Sequence, residues 1–348
     1  MGIEGSIMDK SCWRAITALV ISVVVAGGAL AADPTLDMVK RRGELVCGVN
    51  GSLPGFSLLN AVKEWEGLDV DLCRGVAAAV LGRADKVKFV ALTPQQRFEQ
   101  LASGAIDVLA ANSTITLQRS AGLGLEFTTP TYYDGQAFVV AKKLGINGAT
   151  ALASRGICML RGTTHEDNLK AWFAERRLKA TPILFDNQDA MYEAFFQGRC
   201  VAVTQDSTAL AATIVRSGKA ADYMMLPEVI SREPLGPYVR RGDDAWADVV
   251  RWTQYAMLEA EVLGITRDKA SEFLRSNDPR VQRLLGVTPG NGKALGLDET
   301  WSYNIVAQVG NYGESYERNV GRGSALKFAR GINGLWNQGG LMYPMPFR

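Results

Sequence analysis

Alternating apolar and polar positions in the first half of the chain predict a β-strand, an α-helix and a second β-strand in succession. Residues 44–49 have the composition of a strand, and Leu72, Val76 and Val80 recur every four residues, as on one face of a helix. Residues 87–90 predict the second strand. Because parallel strands need a long crossover between them, this order indicates a βαβ unit of an α/β protein.

A helix, a glycine and a strand then follow one another in each half of the chain. Residues 94–103 predict a helix that ends at Gly104 and leads to a strand over residues 106–110. The spacing of Phe98, Leu101 and Gly104 is repeated by Tyr192, Phe195 and Gly198. Asn112 and Asp206 each come eight places after the glycine. We interpret this as a structural repeat, in which two similar lobes each present a polar strand end to a shared cleft.

A polar stretch over residues 112–119 follows the first of these strands. Open α/β sheets bind their ligands at the carboxyl ends of strands, so this stretch is a candidate site. Arg119 is its most informative residue, because a planar fork of N–H donors suits a carboxylate. A polar surface loop with a solvent-facing arginine would give the same pattern.

A second candidate site lies at the start of a helix in the other half. Residues 158–160 predict a strand, and Thr163 with Glu166 has the spacing of a capping box, as Thr164 with Asp167 does more weakly. Free amides at a helix start attract anions such as a carboxylate. An ordinary capped helix is the alternative.

Residues 1–31 have the features of a secretory signal peptide. Lys10 and Arg14 come before the apolar run over residues 15–30, and cleavage is expected near Ala31. A membrane anchor is the alternative, but the run is shorter than the roughly 20 apolar residues that a span requires. We therefore predict an exported, periplasmic protein.

Size and charge narrow the class of protein further. The formal net charge is +2, with acidic and basic residues mixed, so nucleic acid is not an expected partner. A chain of 348 residues exceeds what one hydrophobic core usually holds, which argues for two lobes.

Four cysteines remain after the predicted cleavage site: Cys47, Cys73, Cys158 and Cys200. An even number in an exported chain indicates two disulfides. Of the three possible pairings we favour Cys47 with Cys73 and Cys158 with Cys200, since each would close a loop within one half of the chain. A metal site is less favoured, because the sequence has no Cys-x-x-Cys and a single histidine.

Short motifs across residues 35–348 carry a family resemblance. They are Gly67-Leu68-Asp69-Val70-Asp71, the Thr-x-x-Arg that ends in Arg119, Gly162-Thr163-Thr164, and Gly198-Arg199-Cys200 leading to Asp206, together with residues 132–136, 226–231, 233–237, 309–314 and 339–341. These motifs resemble those of the periplasmic solute-binding proteins of polar amino acid ABC transporters (bacterial extracellular solute-binding protein family 3). The resemblance is closest to their general L-amino acid-binding branch.

The resemblance implies a type II periplasmic binding protein fold, in which two α/β lobes are joined by two β-type hinge strands and enclose the ligand in a cleft. We expect residues 32–139 plus 238–348 to form lobe 1 with a carboxyl-terminal extension, and residues 140–237 to form lobe 2. It also implies a monomer with no cofactor and no metal.

The resemblance further implies which residues bind the carboxylate of an amino acid. The family's carboxylate-binding arginine corresponds to Arg119, with Asn112 and Thr114 beside it. Thr163 and Thr164 would donate to the same carboxylate from the other lobe.

The acid that binds the ligand's α-ammonium group corresponds to Asp206, and Asn50 and Leu53 correspond to positions at the side-chain end of the pocket. A zwitterion removed from water needs a partner for both charges, so Arg119 and Asp206 would serve opposite ends of one molecule. Relatives that select basic side chains often have an acid where Asn50 stands. Asparagine cannot neutralise lysine or arginine, so broad L-amino acid specificity is expected.

The expected function is to bind L-amino acids in the periplasm and deliver them to ABC-type membrane permease subunits, without catalysis. The alternative is a periplasmic dehydratase of prephenate-like acids on the same fold, with His165 as its general acid or base. A binding-inactive scaffold is disfavoured because Arg119 and Asp206 are both present. The chain has no Gly-x-x-x-x-Gly-Lys-Ser/Thr loop, so ATP hydrolysis is expected in a separate subunit.

Overall fold

Two mixed β-sheets form the framework of residues 34–348, which are the residues that the computed structural model describes. The predicted signal peptide lies outside the described residues. The strands are β1 (Leu45–Val49), β2 (Ser52–Leu53), β3 (Ser57–Leu59), β4 (Trp65–Glu66), β5 (Val87–Ala91), β6 (Val108–Thr114), β7 (Leu125–Phe127), β8 (Tyr132–Asp134), β9 (Gln136–Ala141), β10 (Gly156–Leu160), β11 (Thr181–Phe185), β12 (Ala202–Asp206), β13 (Tyr223–Met225) and β14 (Glu233–Arg240).

Helices pack on both sheets and form the last part of the chain. They are α1 (Thr35–Arg42), α2 (Leu68–Leu81), α3 (Arg97–Ala102), α4 (His165–Glu175), α5 (Gln188–Phe196), α6 (Ser207–Arg216), α7 (Asp244–Val262), α8 (Ala270–Phe273), α9 (Pro279–Leu284), α10 (Asn291–Ala294), α11 (Trp301–Gln308) and α12 (Tyr312–Asn319). No helix of residues 34–348 is long and apolar enough to cross a membrane.

The two sheets have the same arrangement of strands. The first has the order β5-β1-β6-β14-β7, with β8 also paired to β14, and the second has the order β11-β10-β12-β9-β13. In each sheet the first three strands are parallel, and the fourth runs antiparallel to them. The fourth strand comes from a distant part of the chain in both cases. We call the part built on the first sheet the first lobe and the part built on the second sheet the second lobe.

The chain passes between the sheets at two adjacent segments. It leaves the first sheet between β8 and β9 and returns before β14. Gly135 lies at the first crossing, where a Cβ atom would approach Ser231 O to 2.8 Å, and Gln136 N donates to Ser231 Oγ at 3.0 Å. The chain thus changes from the first sheet to the second between Asp134 and Gln136, and it is back in the first sheet at Glu233. Both positions lie a few residues before the expected lobe boundaries at 139/140 and 237/238, which remain a prediction.

The predicted repeat of helix, glycine and strand is present in both halves. Helices α3 and α5 are followed by Gly104 (φ 79°) and Gly198 (φ 76°), and then by β6 and β12. Both glycines have left-handed backbone angles that favour glycine at a helix end. The boundaries of one strand differ from the expected range of 106–110. Strand β6 starts at Val108 and continues to Thr114, so Asn112 and Thr114 belong to the strand rather than to a loop after it.

The predicted capping box at the start of α4 is wrong. Thr164 is the residue before the helix and makes no side-chain cap, because its backbone already has helical angles. The Thr163 hydroxyl donates to Leu160 O at 2.8 Å, and Glu166 Oε1 accepts from Gly162 N at 2.8 Å. The two side chains therefore fix the turn that precedes the helix.

Each lobe contains one disulfide. Cys47 of β1 is bonded to Cys73 of α2, and Cys158 of β10 is bonded to Cys200, just before β12. This is the pairing that the sequence favours. Each bridge joins a buried strand to its neighbouring segment, so neither of them restricts movement of one lobe relative to the other.

Candidate ligand-binding cleft

A cavity between the lobes brings together most of the predicted site residues. It is lined from the first lobe by Asn50, Leu53, Pro94, Arg97, Ala111, Asn112 and Thr114, and from the second lobe by Leu160, Thr163, Thr164, His165, Gln205 and Asp206. Its volume is ≈ 30 Å³, room for about two water molecules. The lobes are therefore almost closed on each other at this point.

Asp206 is the acid of this cavity and lies at the carboxyl end of β12. It is 4% exposed, and its Oδ2 atom accepts a hydrogen bond from Asn112 Nδ2 at 2.8 Å across the cleft. Its Oδ1 atom lies 3.1 Å from His165 Nε2. The two polar positions of the sequence repeat, Asn112 and Asp206, thus meet each other directly.

Arg119 lies behind the wall of the cavity and is not among the residues that line it. It sits in a single π-helical turn, Gln118–Gly122, and its Nη1 atom donates to Thr114 O at 3.0 Å. Its guanidinium lies over the Phe98 ring, 5.0 Å from the centroid. Burial lowers the pKa of Arg119.

Arg97 is a second buried arginine that the sequence analysis missed. It is the first residue of α3, is 6% exposed and lines the cavity. Burial, and then the nearby Arg119, lower the pKa of Arg97 to about 9. The available signal was its position four residues before the apolar Leu101, which puts Arg97 on the buried face of α3.

The two guanidiniums are poorly compensated. Arg97 Nη1 donates to Ala111 O at 3.0 Å, while its buried Nε atom has no partner. Like Arg119, Arg97 lies 5.0 Å from the Phe98 centroid. Within residues 34–348 neither arginine has a carboxylate oxygen within 4.0 Å. Two buried cations without an ion-pair partner make this side of the cleft suitable for an anion.

Asp69 lies beneath the first-lobe wall, in the first turn of α2. Its Oδ2 atom accepts from Asn112 N at 3.0 Å, and Asn112 has a left-handed backbone with φ 49°. Burial raises the pKa of Asp69 to about 7, although this hydrogen bond and Arg97 act in the opposite direction. Asp69 therefore supports the strained backbone from which the Asn112 side chain reaches Asp206.

The two threonines of the second lobe have hydroxyl groups that are already bonded. Thr163 bonds to Leu160 O, as described above, and Thr164 Oγ1 donates to Glu233 Oε2 at 3.1 Å, on the returning strand β14. A carboxylate at this point would meet the main-chain N–H groups at the start of α4.

The remaining predicted residues, Asn50 and Leu53, line the cavity from the first lobe, and their role at the side-chain end of the pocket stays a prediction. Asn50 Oδ1 accepts from Ser52 N at 3.1 Å, and Leu53 is 1% exposed. No group of histidine, cysteine or acidic residues in the described part of the chain could hold a metal ion.

A two-lobed α/β fold with charged groups at a central cleft is the arrangement found in solute-binding proteins. Residues 45–269 match the profile of the bacterial extracellular solute-binding proteins, family 3, so the chain belongs to this family.

Individual relatives extend the match over almost the whole chain. The general L-amino acid-binding periplasmic protein AapJ of Rhizobium johnstonii is 44% identical over 96% of this chain and 99% of its own length. The glutamate/glutamine/aspartate/asparagine-binding protein BztA of Rhodobacter capsulatus is 44% identical over 98% of this chain and 100% of its own. The solved structure of an ABC transporter periplasmic binding protein from Brucella ovis, with glutathione bound, is 46% identical. It has a TM-score of 0.88 and covers 90% of this chain and 99% of that chain.

Proposed function

We propose that this protein binds L-amino acids of several kinds in the periplasm and delivers them unchanged to the membrane permease of an ABC transporter. The observation that carries the proposal is the placement of opposite charges on opposite sides of one cleft, where Arg97 and Asp206 line the cavity and Arg119 lies behind the first-lobe wall. Arg97 and Arg119 belong to the first lobe, and Asp206 belongs to the second. The relatives named above support this function, and none of them is a dehydratase.

In this proposal the α-carboxylate binds beside Thr114, where Arg119 supplies the positive charge and Asn112 a hydrogen bond. The amides before α4, at Thr163 and Thr164, complete its coordination from the second lobe. The α-ammonium group binds Asp206 and displaces the Asn112 amide from it. Since the cavity is narrow, a ligand enters when the lobes separate and is enclosed when they close.

His165 has a supporting role in this arrangement. Its ring lies against Asp206 and is 4% exposed. A neutral imidazole that donates to Oδ1 would orient the carboxylate and leave Oδ2 for the ligand's ammonium group. This role requires no proton transfer to the ligand. In this proposal the protein acts as a monomer.

The central test is calorimetric titration of unfolded and refolded protein with L-amino acids, their D-forms and prephenate. Wild-type protein should bind several L-amino acids, and each should be recovered chemically unchanged. Asp206→Asn should lose at least about 100-fold in affinity, because the ligand's ammonium group would be buried without its counter-charge. Asp189→Asn, on an exposed position of α5, is the matched control. Binding or turnover of prephenate alone would overturn the proposal.

Arg97 gives a more specific expectation about side chains. Arg97 lines the cavity, and its buried Nε atom has no hydrogen-bond partner. With Arg119 assigned to the α-carboxylate, Arg97 is available to a side-chain carboxylate or amide. Arg97→Gln should therefore weaken binding of glutamate by about tenfold or more and that of leucine much less. An equal loss for both ligands would assign Arg97 to the α-carboxylate instead.

A further inference from the structure

The chain after residue 269 lies outside the family match, and its last part packs against the first crossing between the lobes. Asn333 forms two hydrogen bonds with one residue of β8. Its Oδ1 atom accepts from Tyr133 N at 2.7 Å, and its Nδ2 atom donates to Tyr133 O at 2.9 Å. A single amide side chain thus satisfies both backbone groups of Tyr133, as a neighbouring strand would.

Helix α12 contacts the first residue of β8 and the residue directly before it. The Tyr312 hydroxyl donates to Thr131 O at 2.7 Å. The Tyr316 ring is stacked with that of Tyr132, with centroids 6.3 Å apart and an interplanar angle of 7°. Strand β8 is short and pairs only with β14 in the part of the chain that the structure describes. These contacts therefore supply much of its lateral support.

The segment that makes these contacts is itself anchored to the first lobe. Arg330 bonds to Glu261 of α7 at 2.9 Å. Its guanidinium also lies over the rings of Tyr312 and Tyr316, 5.1 and 4.8 Å from their centroids. Asn333, three residues further on, thus projects from a fixed segment.

Strand β8 is also bonded to the helix that follows the ligand-site acid. Asp134 Oδ2 accepts from Thr208 N at 3.1 Å, and Asp134 Oδ1 accepts from the Ser207 hydroxyl. The Tyr132 hydroxyl lies 3.0 Å from Thr208 Oγ1. Ser207 and Thr208 form the first turn of α6, and Asp206 directly precedes them. A continuous set of contacts therefore leads from Asn333 through β8 to Asp206.

We propose that the carboxyl-terminal extension braces β8 and thereby positions Asp206, with Asn333 and Tyr312 as positioning residues for the ligand site. The proposal rests on the function proposed above. The brace fixes Tyr132 and Asp134 on the first lobe, and these two residues hold the start of α6 on the second. When the brace is removed, β8 gains freedom, and the first turn of α6 and Asp206 no longer have one fixed position relative to Arg97 and Arg119.

The test uses Asn333→Ala and Tyr312→Phe, which remove hydrogen bonds to Tyr133 of β8 and to Thr131 directly before it, without adding bulk. Asn337→Ala, at an exposed position of the same segment, is the matched control. Each variant is made in a protein that carries spin labels at Lys86→Cys on the first lobe and Lys179→Cys on the second, both exposed positions. The other cysteines after residue 33 are in disulfides and do not react with the label.

Two readouts separate a positioning role from a general loss of stability. The distribution of distances between the labels should broaden in Asn333→Ala and Tyr312→Phe, and the affinity for L-amino acids should fall by about fivefold to tenfold. Asn337→Ala should match wild type in both. A lower melting temperature with unchanged distances and affinity would show that the extension only covers the first lobe, and would overturn the proposal.

The same experiment distinguishes failure of this inference from failure of the proposed function. Wild-type protein that binds no amino acid would refute the proposed function, while the label distances would still report whether the brace controls the lobes. Wild-type binding together with wild-type behaviour of both variants would refute the brace alone.

Discussion

Asp69 and Asn112 show how a residue outside the cavity determines the geometry of one inside it. Asn112 has a left-handed backbone angle, which asparagine adopts more readily than most residues. The carboxylate of Asp69 accepts its N–H, so the backbone is held while the side chain points to Asp206. The strain at Asn112 and the burial of Asp69 are thus parts of the same arrangement.

This burial predicts a specific pH dependence of stability. Asp69 has its pKa raised from 3.8 to about 7 in the folded protein. Between these values the folded protein binds more protons than the unfolded chain, so the free energy of unfolding falls as pH rises. The Asp69 contribution to this slope is at most about 1.4 kcal/mol per pH unit.

The measurement is urea unfolding of wild type and Asp69→Asn from pH 5 to pH 8. Asparagine can still accept the Asn112 N–H but does not titrate. The difference in free energy of unfolding, wild type minus variant, should decline from pH 5 to about pH 7 and then level off. A difference that is constant with pH would show that Asp69 stays ionised in the folded protein.

Residues that follow a recognisable spacing were predictable from sequence, and those defined by burial were not. Asn112 and Asp206 were found because each stands eight places after a helix-ending glycine. Arg97 was missed because its position four residues before Leu101 was its one local signal of burial, and an arginine at the same spacing can also extend its guanidinium to solvent. The Asp69–Asn112 hydrogen bond joins residues 43 positions apart, which no local pattern records.

Among the elements, α5 provides a direct link between the lobes. Its first residue, Gln188, is 6% exposed, and its Nε2 atom donates to Ser52 O of β2 at 2.8 Å. Gln188 Oε1 in turn accepts from Gln205 Nε2 at 3.2 Å, next to Asp206 in the chain. The bond from Gln188 to Ser52 exists only while the lobes are together, so it contributes to the closed form, whereas the bond to Gln205 lies within the second lobe.

Gln188→Ala should therefore weaken ligand binding by about threefold to tenfold, mainly through faster dissociation, while loss of the bond to Gln205 should lower the melting temperature only slightly. Stopped-flow measurement of ligand dissociation, together with thermal unfolding, tests this. Gln197→Ala is a suitable control, because Gln197 is exposed just after the other end of α5 and its side chain donates to Glu193 of the same segment. A large fall in melting temperature with unchanged dissociation would place the role of Gln188 within the second lobe.

The helices and strands themselves were predicted better than the pairing of the strands within the sheets. The βαβ unit and both helix–glycine–strand units follow from short-range periodicity, which local sequence determines. The insertion of β14 between β6 and β7, and of β9 between β12 and β13, depends on pairing between distant segments. The capping-box prediction failed because Thr163 and Glu166 bond to the preceding turn, and their spacing alone does not distinguish the two arrangements.

At the scale of the whole molecule, the length of the chain predicts two lobes. Their closure depends on contacts between the lobes. Asn112 with Asp206, Gln188 with Ser52, and Gln95 with Asp186 each join the two sides by one hydrogen bond. A few polar contacts of this kind are weak enough to break when the lobes separate. The resemblance to solute-binding proteins predicted the cleft, but its closing contacts required the structure.

The order of strands also determines how much of the chain each sheet needs before all of its strands are present. All strands of the second sheet lie in one uninterrupted stretch between Gln136 and Met225, whereas the first sheet needs β14 to join β6 to β7 and β8. A chain is synthesised from its amino end, so the second lobe has all of its strands while the first still has an open edge at β6. Unpaired edges promote association between chains. A chain truncated before Glu233 would therefore contain every strand of the second sheet but would leave the β6 edge of the first sheet unpaired, so such fragments should associate with one another more readily than the full chain.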